Sequence, residues 1–166
     1  MKLSRFVATA AGVGLLRPAP GTWGSLAAIA LGVFLHRLGH FPLLALATCA
    51  AVALGFWSVT REVEGKDDKD PSEIVIDEVA GQWIALLFPS AAFWIVGAES
   101  TTFPWPGYLT AFILFRIFDI WKPGIIGRAD RRGDAAGVML DDLWAGVFAG
   151  ILTLVIAGIA HGVLLQ

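Results

Sequence analysis

The sequence predicts an all-α fold, a polytopic helical membrane bundle of about four to five spans, and three observations carry that prediction. Of the 166 residues, 57% are apolar and 16% are charged, where soluble domains average about 45–50% and about 25%. Mean hydropathy is +0.72. The charges are also segregated: 18–36, 38–60, 79–98, 100–115 and 143–166 contain no Asp, Glu, Lys or Arg. A helix needs roughly 20 apolar residues to cross a hydrocarbon core of about 30 Å, and several of these runs are that long.

Taken in order, Met1 to Arg5 is basic and Phe6 to Leu16 is an apolar run of 11 residues, the outline of a signal peptide. Arg17-Pro18-Ala19-Pro20 is a poor cleavage site, so the expectation is an amphipathic or interfacial helix that stays on the protein. The 18–36 run is the weakest span because Pro20-Gly21 interrupts it. A re-entrant or half-inserted segment is the alternative, with its backbone shielded by protein. Pro42, Pro104-Trp105-Pro106 and Pro123 lie between apolar runs, where a missing backbone donor costs least. The last run carries Gly146-Val147-Phe148-Ala149-Gly150, a spacing suited to close helix approach in lipid. Lys and Arg gather in the amino-terminal segment, in 61–76 and in 122–140; 37–42 has Arg37 alone, and 99–106 and the tail have none. Short cytoplasmic loops hold the excess of positive charge, so the three basic segments are expected together on the cytoplasmic side.

Other classes are excluded by the same composition. A net charge of −2 gives no basic field for a nucleic-acid backbone. The single cysteine, Cys49, cannot form an internal disulfide, and its apolar neighbours suggest an inert packing residue. The length suits one domain, 1–166.

The polar groups gather in three places, all on the same predicted side. Pro20-Gly21-Thr22-Trp23-Gly24-Ser25 reads as a loop feeding a helix start, either an anion site or a plain turn and cap. Asp77-Glu78 opens the third apolar run, with Asp70 and Glu73 upstream. Acids there complement the helix dipole, which explains one of them better than two. The third group is Arg116, Asp119 and Lys122, then Arg128 to Asp134, then Asp141-Asp142 opening the fifth run. Arg116, Asp119 and Lys122 fall within about 120° of one helix face. Two acidic pairs at one depth, Asp77/Glu78 and Asp141/Asp142, can supply four hard oxygen ligands, which suits Mg²⁺, and the neighbouring Arg and Lys suit a phosphate. Zinc chemistry would want His or Cys ligands, but His36, His40 and His161 are scattered. Position 55, six after Cys49, is Gly55 where a cysteine phosphatase would need arginine, and no Gly-Lys-Ser/Thr phosphate loop occurs. Metal-assisted chemistry on a phosphate at a membrane surface survives this screen.

Four motifs, PAPGTWGSLAA (18–28), IVIDEVAGQW (74–83), FRIFDIWKP (115–123) and GVMLDDLWAG (137–146), together resemble the phosphatidylglycerophosphatase A family, over essentially the whole chain. The resemblance implies a helical, Mg²⁺-dependent enzyme of the bacterial inner membrane. Such an enzyme removes the terminal phosphate of phosphatidylglycerophosphate to give phosphatidylglycerol. It implies Asp77, Glu78, Asp141 and Asp142 as the acidic core, with Asp70 a further acid of the preceding loop. It also implies roles for Arg116, Asp119 and Lys122, and for Gly21, Thr22, Gly24 and Ser25. The expected mechanism is metal-assisted attack of water, with Asp77, Asp119 and Asp142 catalytic and Asp119 a candidate base or further ligand. Arg116 and Lys122 hold the phosphate, and the amides of the amino-terminal loop reach its remaining oxygens. A covalent aspartyl-phosphate stays open. The rival readings are a broader lipid phosphatase acting on phosphatidic acid, a transporter and a membrane scaffold. Acids and bases at run ends rather than mid-bilayer count against transport.

Overall fold

The computed structural model describes residues 2–164, with side chains through 161; Met1, Leu165 and Gln166 of the expected 1–166 domain lie outside the described residues. Among those described, every regular element is helical: α1 (Leu3–Ala8), a 3-10 turn (Val13–Leu15), α2 (Pro20–Val63), α3 (Ile76–Ile95), α4 (Trp105–Trp121), α5 (Ile125–Asp130) and α6 (Ala135–Leu164). Three of them, α2, α3 and α6 through His161, are long and apolar enough to cross a membrane.

A straight helix of 44 residues would be about 66 Å long, twice the hydrocarbon core. α2 is not straight. Gly39 (φ −149°, ψ 22°) and His40 (φ 58°, ψ −158°) leave helical geometry and divide it into arms, 20–38 and 41–63. The arms fold back on each other, because Gly24 of the first and Gly55 of the second both approach the start of α3, at Val75 and Ile76. Pro42 is therefore not the break itself but lies in the first turn of the second arm, where its missing N–H costs little. Pro20 behaves the same way. It opens α2 instead of interrupting the 18–36 run.

Helix directions follow from the side-chain contacts. The indole of Trp83 donates to the carbonyl of Ala28 at 2.7 Å, and His36 Nδ1 lies 2.7 Å from Ser90 Oγ, so the first arm and α3 run the same way. Gly81 abuts Asp142 and Gly146 while Gly150 abuts Phe88, so α6 runs with them. α4 runs the opposite way, with Lys122 beside Asp141 and Phe118 beside Phe148. The starts of α2, α3 and α6 and the end of α4 thus meet at one end of the bundle, with the basic segments. The turn at 39–40 meets the α3–α4 connection at the other end, where His40 Nε2 is 2.9 Å from the carbonyl of Ala98.

The core is built from Leu44, Val59, Ala80, Leu86, Phe115 and Met139, all fully buried. Outside, Leu31, Phe34, Leu46, Ile113, Ile117, Ile151 and Ile159 are exposed, far more apolar surface than a soluble monomer presents. Cys49 is among the exposed residues, on the outer face of the second arm, and is not the packing residue expected. The 6–16 run is not one helix either. α1 ends at Ala8, and Ala10, Ala11 and Gly12 at φ 46°, 57° and 94° turn the chain. Arg5 then pairs with Glu73 at 2.9 Å and Ser4 donates to Glu62 at 2.6 Å, which pins α1 against the end of α2 and the loop that follows it.

Candidate active site

The site exists because α3 and α6 touch backbone to backbone. A Cβ on Gly81 would stand 2.5 Å from the carbonyl oxygen of Asp142 and 2.6 Å from the Phe115 ring, and one on Gly146 would meet the carbonyl of Gly81. Only glycine permits that approach. α6 begins just before this contact, capped by Asp134, whose Oδ1 accepts the Gly137 N–H at 2.7 Å. Its second turn therefore delivers Asp142 to the first turn of α3, which carries Asp77 and Glu78. Carboxylate oxygens of Asp77, Glu78 and Asp142 lie within 4.8 Å of one another. Asp77 and Asp142 are buried, and Asp77 Oδ1 and Glu78 Oε2 have no hydrogen-bond partner. Three crowded carboxylates with unpartnered buried oxygens repel one another strongly in a poorly solvated site. A hard divalent cation with oxygen preference, such as Mg²⁺, would relieve that repulsion, so the donor set fits the expected ion.

The end of α4 supplies the opposite charge. Arg116 pairs with Asp119 at 2.6 Å and reaches Ser25 Oγ at 3.4 Å, while Ser25 itself donates to the Gly21 carbonyl at 2.9 Å. The Asp119 carboxyl in turn lies against that of Asp142. Lys122 caps α4 in left-handed geometry (φ 49°, ψ 53°) and turns its ammonium onto Asp130 at 2.5 Å and Asp141 at 2.6 Å. Burial opposes its charge, but those two hydrogen bonds outweigh burial and hold it above the ordinary lysine pKa. These groups line an open cavity of about 330 Å³, walled by Ala19 and the first turn of α2, Asp70, Ser72, Asp77, Glu78, Arg116, Asp119, Ile120, Lys122, Asp141 and Asp142.

Most residues singled out from the sequence are thus brought together, with three differences. Asp141, expected among the metal ligands, stands outside the three-acid group. Its Oδ2 accepts from Lys122 and its Oδ1 from the Asp142 N–H at 3.0 Å, so both oxygens are engaged. The 20–25 segment is not a loop but the first turns of α2, in which the Thr22 and Trp23 amides already bond to Ala19. Pro20 has no N–H, which leaves the amide of Gly21 as the one free to meet an anion there. Gly24 and Ser25 do not line the cavity. Gly24 packs against Val75, and Ser25 acts one step back, on Arg116. Gly21 and Thr22 do line it, and Gly21 lies against the carboxyl of Glu78, where a Cβ has no room.

One residue and one pairing escaped the sequence reading. Gln82, one turn beyond Glu78, is fully buried with both amide atoms unpartnered. Its signal was a lone polar side chain four residues after an acid in an apolar run. Asp130 holds Lys122 from α5, which no spacing rule would have linked to it.

Comparison with known proteins gives the family. The family model described as phosphatidylglycerophosphatase A matches residues 6–157. A Bacteroides thetaiotaomicron protein with a provisional phosphatidylinositol-3-phosphatase name is 37% identical over 151 residues, 88% of each chain. The phosphatidylglycerophosphatase A of Haemophilus influenzae is 36% identical, covering 87% of this chain and 83% of its own. That of Escherichia coli is 34% identical, covering 85% and 76%. No solved structure matches significantly.

Proposed function

The chain belongs to the phosphatidylglycerophosphatase A family, and from that premise we propose that it hydrolyses the terminal phosphate of phosphatidylglycerophosphate in a Mg²⁺-dependent reaction. The observation that carries the metal-dependent part is the group of Asp77, Glu78 and Asp142, with two oxygens unpartnered, beside Arg116 and Lys122 in one cavity. In the bacterial inner membrane, the basic segments at that end would place the site on the cytoplasmic face.

Asp77, Glu78 and Asp142 would hold the ion, whose contribution when bound is to neutralise phosphate charge and acidify water. Arg116 is held in place by Asp119 and Ser25. Its remaining N–H donors are free to bind phosphate oxygens in a fixed geometry. Lys122 adds a second positive charge from the end of the same helix, and the Gly21 amide a donor at the start of α2. Asp119 has Oδ2 on Arg116, and its carboxylate, beside that of Asp142, would take the proton of the attacking water. The new bond forms between that water oxygen and phosphorus, and the bond from phosphorus to the glycerol oxygen breaks. The alkoxide takes up a proton from solvent and leaves as phosphatidylglycerol, Asp119 returns its proton to solvent, and hydrogen phosphate remains.

The name of the Bacteroides relative favours one second reading, a lipid phosphatase accepting other headgroups. Phosphate release by the purified protein from phosphatidylglycerophosphate, phosphatidylinositol 3-phosphate and phosphatidic acid, with Mg²⁺ or EDTA, separates the two. Release from the first lipid alone, abolished by EDTA, supports the proposal. Comparable release from all three supports the broader enzyme. No release from any lipid by folded protein refutes both.

A further inference from the structure

The acidic and basic cavity does not close toward the outer face of the bundle. Arg116 and Ile120 form part of its wall and also part of a shallow apolar hollow on the outer face of α4, lined by residues of that helix alone. That hollow continues along α4 past Phe112, Ile113, Ile117 and Trp121. Ile120 is 73% exposed and Trp121 72%, so among the described residues no element covers the junction.

We propose that this hollow receives an acyl chain of the lipid whose phosphate is hydrolysed. The lipid then enters sideways from the bilayer, between the start of α2 and the end of α4. The inference rests on the lipid-phosphatase reading above and adds the path its substrate takes. Length supports it: from Ile120 back to Phe112 is eight residues, about 12 Å of helix, close to the half of a ~30 Å hydrocarbon core that one leaflet supplies. Direction supports it too. α4 ends at the charged end of the bundle, so the hollow starts at the polar cavity and runs toward the bilayer middle, as an acyl chain does. Arg116 lines both regions, and its guanidinium is held on Asp119. A larger apolar hollow, about 650 Å³, lies between the α2 arms and is lined by residues such as Ala28, Leu31, Ala51 and Trp83. It shares no lining residue with the polar cavity, so a chain lying in it is not led to the site.

Two measurements test the path. The first compares phosphatidylglycerophosphate with the same headgroup lacking acyl chains, on the wild type and on Ile113→Ser and Ile117→Ser. Ile151→Ser, on the exposed face of α6, is the control. The expected result is a KM for the diacyl lipid raised about tenfold in the α4 variants, the scale of one apolar side chain's burial. The tail-free substrate should shift less than about twofold, and the control should shift with neither substrate. Equal shifts with both substrates, or none with either, overturn the proposal. The second measurement uses phosphatidylglycerophosphate with a photoactivatable diazirine in one acyl chain and maps the adducts on wild-type protein. Adducts within 112–121 support the path, and adducts concentrated on the α2 arms overturn it. Should the wild type release no phosphate from either substrate, the phosphatase reading fails by itself. The adduct map then still decides whether α4 holds the chain.

Discussion

The contact at Gly81 carries the geometry of the whole site, which makes Gly81→Ala the sharpest perturbation of it. The new methyl carbon would lie 2.5 Å from the Asp142 carbonyl and 2.6 Å from the Phe115 ring, where ordinary contact begins at 3.4 Å. Relief requires about 0.9 Å of movement by α6 and about 0.8 Å by the Phe115 ring of α4, since packed helices do not compress. Either movement displaces a working side chain, Asp142 itself or Arg116, the neighbour of Phe115. A misplacement on the order of 1 Å costs about 10²-fold in rate, and overpacking costs about 1–3 kcal/mol of stability. Gly107→Ala on α4, where nothing lies within 4 Å, is the control and should be neutral. The assay is kcat/KM for phosphate release against Mg²⁺ concentration, with helicity checked by circular dichroism. Gly81→Ala should lose about 10²-fold with its helicity kept, and the Mg²⁺ concentration for half-maximal rate should rise. Wild-type rate and Mg²⁺ response in a folded Gly81→Ala protein would refute the reasoning.

Three further outcomes follow from named contacts. Asp77→Asn and Asp142→Asn should each lower turnover by about 10²–10³-fold, as loss of one preorganised charged group does, while relieving carboxylate repulsion so that thermal stability without metal does not fall; a fall in stability with turnover retained would contradict the assignment. Lys122→Met removes the partner of Asp141 and Asp130, so it should raise KM and destabilise the protein, with Asp141→Asn in the same chain restoring stability but not KM. The Asp134 carboxyl is held below the usual carboxylate range by its hydrogen bond from Arg132 and by the Gly137 amide, so the cap helps α6 only while it is ionised. Asp134→Ala should therefore unfold at lower temperature than wild type above about pH 4, and the difference should vanish as pH falls through the lowered pKa. A gap that persists in acid would mean that the cap is not electrostatic.

The helical class was legible because apolar runs of bilayer length and segregated charge leave few alternatives, and the structure arranges the five runs alternately up and down with the basic segments at one end. The two acidic pairs were legible as pairs, but not the orientation of each member. Successive residues on a helix point about 100° apart, so one of two neighbouring acids can face a shared centre while the other turns away. Glu78 still joins Asp77 in the acidic group, whereas Asp141 turns to Lys122. Proline misled the reading at Pro20, whereas Pro42 does sit beside a break between runs. A first-turn proline looks in sequence like a breaker, although there it loses no helix hydrogen bond. The pairing of Asp130 with Lys122 was beyond reach, because it depends on how α5 turns the chain between two long helices.

The central claim is that one cation site built by α3 and α6 governs a lipid phosphatase. It is tested most directly by calorimetric titration of Mg²⁺ into the detergent-purified protein, alongside Mg²⁺-dependent phosphate release from phosphatidylglycerophosphate in the same preparation. The account predicts saturable binding in the wild type over the concentration range that activates turnover. It also predicts loss of both signals in folded Asp77→Asn/Asp142→Asn protein. Unchanged binding in that double variant, or full turnover in EDTA, would contradict it.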